Sequence, residues 1–465
     1  MADMDNQDQS DIRPRGAMGD AGPAAAAQTE RRRSADVHVL YSRFPARDER
    51  SVQFSFRVAN FPHIRCAFGE DIALEVLETL RQIASDVIGS DGTVLANVEG
   101  GLHVLLQDAS NMGAGPLPAA CQRLVEAFCG SLPMVALDTS AGPICLWVSG
   151  AWSIGSAPIP NAPAVVLETG ETSHGFSGLP PRQGADWAKG YRADMARAAR
   201  ILPCIERAFA GQSGRLALFW QAVSDGEDVL YHEALLRWIG ADGEPRSIAS
   251  DILALERLGF ARFLDRHVVA QVVAELEESP DVVLGVNISA QSVDRDCWWD
   301  EIEHRLSRTP NAGGRLFIEI TETAAFPDIS EAVHVATRMR ALGCRIVLDG
   351  FGTGFASIRH VLALAPDLVK IDRSFLGRVH ASARARAVFE QLVGLAQSLG
   401  ANPIVEGVQT EAEADVARQA GGLWQQGSYW GRPAAFRAGG RPAPGDLPSR
   451  ESRSCGSRMS GGGHQ

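Results

Sequence analysis

Four short stretches decide the fold of this chain: RLFIEITE (residues 315–322), CRIVLDG (344–350), DLVKID (367–372) and NPIVEG (402–407). Each is an apolar run of strand length with a charged residue at or near its end, and longer segments of helical periodicity separate the runs. This alternation predicts βα repeats around a parallel sheet. Four more runs continue it: LALFWQAV (216–223), DVLYHEALLRW (228–238), VVLGVNIS (282–289) and LWQQGSYWG (423–431).

Eight such strands predict a closed barrel in the C-terminal half of the chain. The repeats span about 235 residues, near the roughly 250 that are typical of a (β/α)8 barrel. The expected fold class is therefore α/β, with a TIM-like barrel over residues 196–435.

Polar residues stand at the carboxyl ends of nearly all these strands, where a barrel gathers its active site. A purely structural explanation fails for the whole set, because buried carboxylates without partners would each cost several kcal/mol. The candidates are Glu233, Asn287, Glu319, Asp349, Lys370, Asp372, Glu406 and Gln426.

The chemistry of this set favours a hard cation and a phosphodiester. Carboxylate and amide oxygens without His or Cys are the ligands of Mg²⁺ or Mn²⁺ rather than Zn²⁺. A bound cation would activate water and neutralise phosphate oxygens. Lys370 would orient that water or stabilise developing charge, and Arg237, four residues beyond Glu233, would hold a phosphate oxygen.

The ordered motifs of this half resemble the EAL domain of bacterial cyclic di-GMP phosphodiesterases. YHEALLRW contains Glu233-Ala234-Leu235, and NIS, EITE, LDGFGTG, KID, EGV and QGSYWGRP follow in the family's order. The resemblance implies that Glu233, Asn287, Glu319 and Asp349 bind metal. It further implies catalytic roles for Glu406, Lys370 and Asp349, substrate contacts from Arg237, Asp372 and Gln426, and Glu322 as the anchor of the loop Phe351 to Ser357.

Three positions depart from the family pattern. Gly350 replaces the second of two adjacent aspartates, Gln409 replaces a glutamate and Ser428 replaces a tyrosine. The glycine removes a carboxylate that serves the second metal and the attacking water. Three hypotheses stay open: a phosphodiesterase that opens cyclic di-GMP to pGpG, weak because of Gly350; a cyclic di-GMP receptor or regulatory module without turnover; and a scaffold that binds no nucleotide.

The N-terminal half predicts a smaller α/β sandwich that resembles a GGDEF domain, the family that makes cyclic di-GMP. RVANF, FGEDIALEVL, EGGLHVLL and WVSGA carry the resemblance. The Gly100-Gly101 turn is kept, but the carboxylates expected to bind metal are absent, so no diguanylate cyclase activity is expected. The residues at those positions are Arg57, Ala59, Leu102 and His103.

The predicted domain organisation has a disordered tail (1–36), a degenerate GGDEF-like domain (37–152), a linker (153–195), the EAL domain (196–435) and a second disordered tail (436–465). A net charge of −12 argues against DNA or RNA as a partner. Eight scattered cysteines and the lack of a long apolar run predict a cytoplasmic protein without a membrane span. Dimers are common in the resembled family, so a homodimer is one expected arrangement. The N-terminal domain is a candidate contact for a regulatory protein.

Overall fold

The computed structural model describes residues 51–89, 92–106, 116–156, 165–171, 181–182, 184–209, 215–294, 297–321, 323–352 and 358–437. The tail predicted at 1–36 and all but two residues of the tail at 436–465 lie outside these ranges. The described residues form a five-stranded sheet, a closed barrel sheet and one two-stranded hairpin.

The N-terminal region is a sheet whose strands run in the order β2-β3-β1-β6-β7, each antiparallel to its neighbours. The β1–α–β2–β3–α–β6 connection is that of a ferredoxin-like sandwich. Its elements are β1 (Ser51–Val58), α1 (Phe61–Phe68), α2 (Glu70–Ile88), β2 (Gly92–Ala96), β3 (Gly101–Leu106), α3 (Leu117–Ser131), β4 (Ala136–Thr139), β5 (Gly142–Cys145), β6 (Val148–Ser156), β7 (Val165–Glu171) and α4 (Ala185–Phe209).

Strand β1 lies in the centre of this sheet because its apolar side chains alternate. Val52, Phe54, Phe56 and Val58 are buried, whereas Arg57 is exposed on the other face. The hairpin that joins β2 to β3 is closed by Asn97, whose side-chain oxygen accepts the backbone N–H groups of Glu99 and Gly101 at 3.0 and 2.8 Å. These bonds hold the turn that contains Gly100 and leads into β3 at Gly101.

The segment predicted as a linker, residues 153–195, contains regular structure. It includes the end of β6, all of β7, which extends the sheet beside β6, and the first part of α4. Helix α4 is 25 residues long and packs on α1 and β5 of the N-terminal region and on two helices of the barrel. The proline-rich residues 157–164 join β6 to β7, which are neighbours in the same sheet.

Eight strands close the C-terminal barrel: β8 (Leu216–Ser224), β9 (Val229–Ile239), β11 (Leu284–Ser289), β12 (Leu316–Thr321), β13 (Arg345–Phe351), β14 (Leu368–Ile371), β15 (Asn402–Glu406) and β16 (Trp424–Gln426). A short ninth strand, β10 (Pro245–Ser247), pairs with the end of β9. From β9 to β16 the barrel strands are parallel, but β8 is antiparallel to both of its neighbours. The expectation of a fully parallel sheet was wrong here because the tight turn after Ser224 is too short for a crossover helix.

Helices cover the outside of the barrel, with α6 against β11, α8 against β13 and α11 against β14 and β15. They are α5 (Ala249–Leu258), α6 (Ala261–Glu278), α7 (Cys297–Arg308), α8 (Ile329–Ala341), α9 (Ile358–Leu364), α10 (Arg373–Leu376), α11 (Ala383–Ser398) and α12 (Glu411–Gln419). After β16 the chain returns to β8, where Ala434 and Trp220 exchange two backbone hydrogen bonds of 3.0 and 2.8 Å. Within the described ranges, no helix is both long and apolar enough to cross a bilayer.

Candidate active site

The barrel interior has an apolar layer below a polar layer. Residues two apart on a strand face the same side, so each polar residue at a strand end stands above an inward residue deeper in the barrel. The buried cluster there comprises Val223, Leu230, Tyr231, Phe317, Val347, Leu368 and Ile404. Gly285 supplies the space for the aromatic part of this layer, because a Cβ at that position would lie 2.5 Å from the Tyr231 ring and 2.6 Å from Glu319 Oε1.

Lys370 is the centre of the polar layer. Its ammonium Nζ donates to Glu233 at 3.0 Å and to Glu319 at 2.8 Å, and it lies 2.9 Å from Glu406. The lysine and Glu319 are fully buried, whereas the Glu406 side chain is 21% exposed and faces the open end. One buried cation thus links the middle of β9 to the ends of β12, β14 and β15, because each carboxylate would otherwise be desolvated without compensation.

Two side-chain amides complete the environment of Glu233. Asn287 at the end of β11 and Gln426 at the end of β16 each donate a hydrogen bond to its carboxylate. With Lys370, three donors from three other strands converge on this one buried carboxylate. Glu233 is therefore fixed in orientation by the fold before any ligand binds.

Burial and the shared lysine separate the pKa values of these acids. Burial raises the pKa of Glu319 to about 8 and of Glu406 to about 7, and Lys370 opposes both shifts. Burial would also raise the pKa of Glu233, but Lys370, Gln426 and Asn287 outweigh it and hold that pKa below its ordinary value. The surrounding carboxylates in turn raise the pKa of Lys370 well above its usual value, against the effect of burial. The polar layer therefore combines an acid whose pKa is lowered, two acids whose pKa values are raised and one lysine whose pKa is raised.

Two buried oxygens of the layer have no hydrogen-bond partner among the described residues: Asn287 Oδ1 and Glu319 Oε1. An amide oxygen and a carboxylate oxygen are hard donors of the kind that Mg²⁺ and Mn²⁺ prefer. No three His, Cys or acidic side chains of the described residues converge into a closed ligand cage, since Lys370 lies between the carboxylates. The residues present fit a hard divalent cation by donor type, with Asn287 and Glu319 contributing the free oxygens.

Asp349 and Gly350 lie at a bulge at the end of β13, where the register against β14 shifts between Leu348 and Phe351. Burial raises the pKa of Asp349, opposed by Lys370 and reinforced by Glu233. Gly350 has a φ of +81°, in the left-handed region that glycine adopts without a Cβ penalty. The glycine that replaces an expected aspartate is therefore also suited to the backbone of the bulge.

Other predicted site residues have hydrogen-bond partners outside the lysine cluster. Arg237 is partly buried on β9 and donates to the Leu236 carbonyl at 3.0 Å, and burial lowers its pKa. Asp372 caps α10 by accepting the backbone N–H of Ser374 at 2.8 Å. Ser428 is exposed, and the backbone N–H of Gln409 donates to Glu413 at 2.7 Å. Glu322 lies outside the described residues, as does most of the loop it was predicted to anchor.

No carboxylate stands at the N-terminal positions where the GGDEF resemblance leads us to expect metal ligands. Leu102 is buried in the core, and Arg57 faces solvent on β1 opposite Gly101. His103 lies 3.1 Å from the hydroxyl of Ser55, and burial lowers its pKa.

Sequence reasoning did not select three buried polar residues near the polar layer: Tyr231, Glu256 and Asp265. The Tyr231 hydroxyl has no hydrogen-bond partner among the described residues. Burial raises the pKa of Tyr231 well above its usual value, and the neighbouring Glu319 carboxylate raises it further. Glu256 and Asp265 each follow a buried leucine in their helices, a position that does not by itself indicate a role at the site.

Comparison with known families identifies the class of this barrel. The model of the EAL domain matches residues 205–433, so the C-terminal half of the chain is an EAL domain. Similar curated proteins include an uncharacterised signalling protein of Caulobacter vibrioides, 33% identical over 46% of this chain and 27% of its own length. The cyclic di-GMP phosphodiesterase NbdA of Pseudomonas aeruginosa is 30% identical, with 47% of this chain and 28% of that protein covered.

A third relative, the probable cyclic di-GMP phosphodiesterase PdeG of Escherichia coli, is 27% identical over 48% of this chain and 46% of its own length. The chain thus spans less than half the length of each of these relatives. Among solved structures, the PaMucR phosphodiesterase in complex with c-di-GMP aligns with a TM-score of 0.43 at 25% identity, over 52% of this chain and 98% of that one. The Xanthomonas citri FimX EAL domain aligns at 0.46 and 23% identity, over 52% of this chain and 96% of that one.

Proposed function

We propose that the EAL domain of this chain hydrolyses cyclic di-GMP to linear pGpG, slowly, with Mg²⁺ or Mn²⁺ as cofactor. The observation that carries the proposal is the layer of Glu233, Glu319 and Glu406 around Lys370, with free oxygens on Asn287 and Glu319. The reaction adds one water across one P–O bond. Its oxygen joins phosphorus, and the leaving ribose oxygen takes up a proton.

Each residue has a role that its environment supports. Glu233, Asn287, Glu319 and Asp349 would hold the divalent cation, which supplies a water of lowered pKa and neutralises phosphate charge. Glu406, partly exposed and with a pKa of about 7, is suited to accept the proton of the attacking water.

The remaining roles concern the substrate and the position of the base. Lys370 stays protonated, 2.9 Å from Glu406, and fixes the position of that base. Arg237 has a guanidinium suited to a phosphate oxygen, and we assign further substrate contacts to Asp372 and Gln426. We assign Glu322 to the anchoring of the adjacent loop.

Gly350 is the reason for proposing slow turnover. A second carboxylate beside Asp349 would add an oxygen ligand, and its absence removes charge that the reaction needs. The same observation supports a second candidate function, a receptor that holds cyclic di-GMP without opening it and reports occupancy to a partner.

We further propose that the N-terminal region is a degenerate GGDEF-like domain without cyclase activity. Its β–α–β–β–α–β order supports the assignment, and the residues at the four expected ligand positions support the loss of activity. A cytoplasmic location, a homodimer and a regulatory protein partner of this region belong to the same proposal.

The test is a hydrolysis assay on the purified chain with radiolabelled cyclic di-GMP, with and without Mn²⁺. Metal-dependent pGpG formation supports the enzyme, and retention of labelled cyclic di-GMP without product supports the receptor. If the protein neither forms pGpG nor retains cyclic di-GMP, both candidate functions are refuted. Glu233→Ala should abolish Mn²⁺ binding and turnover. The matched control is Glu227→Ala, an exposed glutamate in the turn between β8 and β9, which should change neither. Equal effects of the two variants would contradict the assignment.

A further inference from the structure

Two buried carboxylates outside the lysine cluster hold the strand ends that carry the proposed metal ligands. The first is Glu256 on α5, which is 3% exposed. Its Oε1 atom accepts the hydroxyl of Ser289 at 2.7 Å and that of Thr323 at 2.8 Å. Glu256 therefore connects the end of β11 to the segment that follows β12.

The second carboxylate is Asp265 on α6, which is 6% exposed. Its Oδ2 atom accepts the backbone N–H of Ser289 at 2.8 Å and the hydroxyl of Ser292 at 2.6 Å. These bonds fix the turn of 3-10 helix, Ala290–Ser292, that leads the chain away from β11.

The contacts of Glu256 and Asp265 with Ser289 lie two residues beyond Asn287, a residue of the polar layer, along β11. Asn287 pairs with Glu319, and two residues further along Ser289 pairs with Thr321. The bonds that fix Ser289 therefore also restrain Asn287 and Glu319, because the four residues belong to the same ladder. In each acid a single oxygen accepts both bonds, so the bonding pattern requires an acceptor at that atom and not a negative charge.

The two acids are carried by one rigid element. Helices α5 and α6 meet at Gly259 and Phe260, and Phe260 is fully buried. Trp147 of the N-terminal region packs on this elbow, with its ring 6.1 Å from Phe260 and 5.0 Å from Phe263. The position of both carboxylates is therefore set jointly by the barrel and by the N-terminal region.

We propose that Glu256 and Asp265 are positioning residues that hold Asn287 and Glu319 at the spacing a divalent cation needs. The inference rests on the proposed function only for the identity of the ligand. Burial raises the pKa of Asp265 to about 7 and also raises the pKa of Glu256, which agrees with roles as hydrogen-bond acceptors that do not depend on charge.

The test compares Glu256→Ala and Asp265→Ala with the amide variants Glu256→Gln and Asp265→Asn in the full chain, using Mn²⁺ alone as the probe. The alanine variants should bind Mn²⁺ roughly tenfold more weakly, the lower end of the loss seen for groups that orient metal ligands. The amide variants keep an acceptor oxygen and should stay within about twofold of the wild type, as expected for a preserved hydrogen-bonding role. Val269→Ala, a fully buried α6 residue, is the control for a loss of stability alone and should leave the Mn²⁺ affinity unchanged.

Hydrogen exchange in metal-free protein gives an independent measurement on peptides from the ends of β11 and β12. These amides should exchange faster in the alanine variants and at the wild-type rate in the amide variants. Unchanged exchange and Mn²⁺ affinity in Glu256→Ala would overturn the proposal, and so would an amide variant as defective as its alanine counterpart. Absence of cyclic di-GMP turnover with the expected exchange and Mn²⁺ results would refute the proposed function and leave the positioning role standing.

Discussion

Gly350→Asp should increase the phosphodiesterase activity at a cost in stability. The substitution restores a carboxylate next to Asp349, at the bulge where β13 approaches the polar layer. The backbone there has a φ of +81°, which costs an L-residue about 1–2 kcal/mol and costs Asp or Asn the lower part of that range. We therefore expect Gly350→Asp to unfold at a temperature a few degrees lower than the wild type.

The rate of hydrolysis should rise despite this loss of folding stability, because the assay is carried out on the folded protein. If the missing carboxylate is the main defect, kcat/KM should rise at least tenfold, which requires about 1.4 kcal/mol of additional transition-state stabilisation. The measurement is the initial rate of pGpG formation from radiolabelled cyclic di-GMP with saturating Mn²⁺, at a temperature well below the unfolding of every variant.

Gly350→Asn is the matched control because asparagine has nearly the same size and the same tolerance of positive φ but no charge. It should show the same loss of stability and no gain in rate. A similar gain in both variants would show that backbone geometry, not the carboxylate, limits turnover. A folded aspartate variant with the wild-type rate would refute the reasoning and direct attention to Gln409 and Ser428.

Lys370→Met should lower the free energy of unfolding by about 3–5 kcal/mol at pH 8, because it leaves three carboxylates without their buried cation. Urea unfolding should show a smaller loss at pH 5, where the acids take up protons, and equal losses at both pH values would contradict the account. Asp265 has a folded pKa of about 7 against an ordinary 3.8, so between these pH values the folded protein keeps a proton that the unfolded chain loses. The contribution of Asp265 to the free energy of unfolding therefore falls as the pH rises from 3.8 to about 7. Asp265→Asn should therefore shrink the difference in unfolding free energy between pH 5 and pH 8 by roughly 3 kcal/mol in metal-free buffer. The full chain should make no cyclic di-GMP from GTP and Mg²⁺, and detectable synthesis would overturn the interpretation of Arg57, Ala59, Leu102 and His103.

The barrel and its polar layer could be predicted because both follow from local patterns. Strand-length apolar runs with a charged residue at or near the end indicate the strands, although β9 continues to Ile239, six residues beyond Glu233, and a barrel brings the carboxyl ends of its parallel strands together. That argument placed Glu233, Asn287 and Glu319 on one face. It could not show that Lys370 lies between the carboxylates, because the contacts of its ammonium group join residues 36 to 137 positions apart.

Other features depend on geometry that no local pattern contains. The antiparallel direction of β8 follows from the length of one turn, and the extent of α4 depends on contacts with two separate parts of the fold. Glu256 and Asp265 look like ordinary polar interruptions of helices until their partners at the end of β11 are known. Strand β7 was not predicted because it lies between two stretches rich in proline and glycine.

The packing of Trp147 on the α5–α6 elbow has a practical consequence for anyone who isolates the barrel. A fragment that begins at residue 205 would lose Trp147 and most of α4, whose Ile201 and Leu202 are fully buried. Phe260 and Phe263 would then meet water, and an apolar patch of this kind promotes self-association. The isolated barrel should therefore be less soluble than the longer chain. Its measured activity would be that of a barrel whose α5–α6 junction lacks the contact with Trp147.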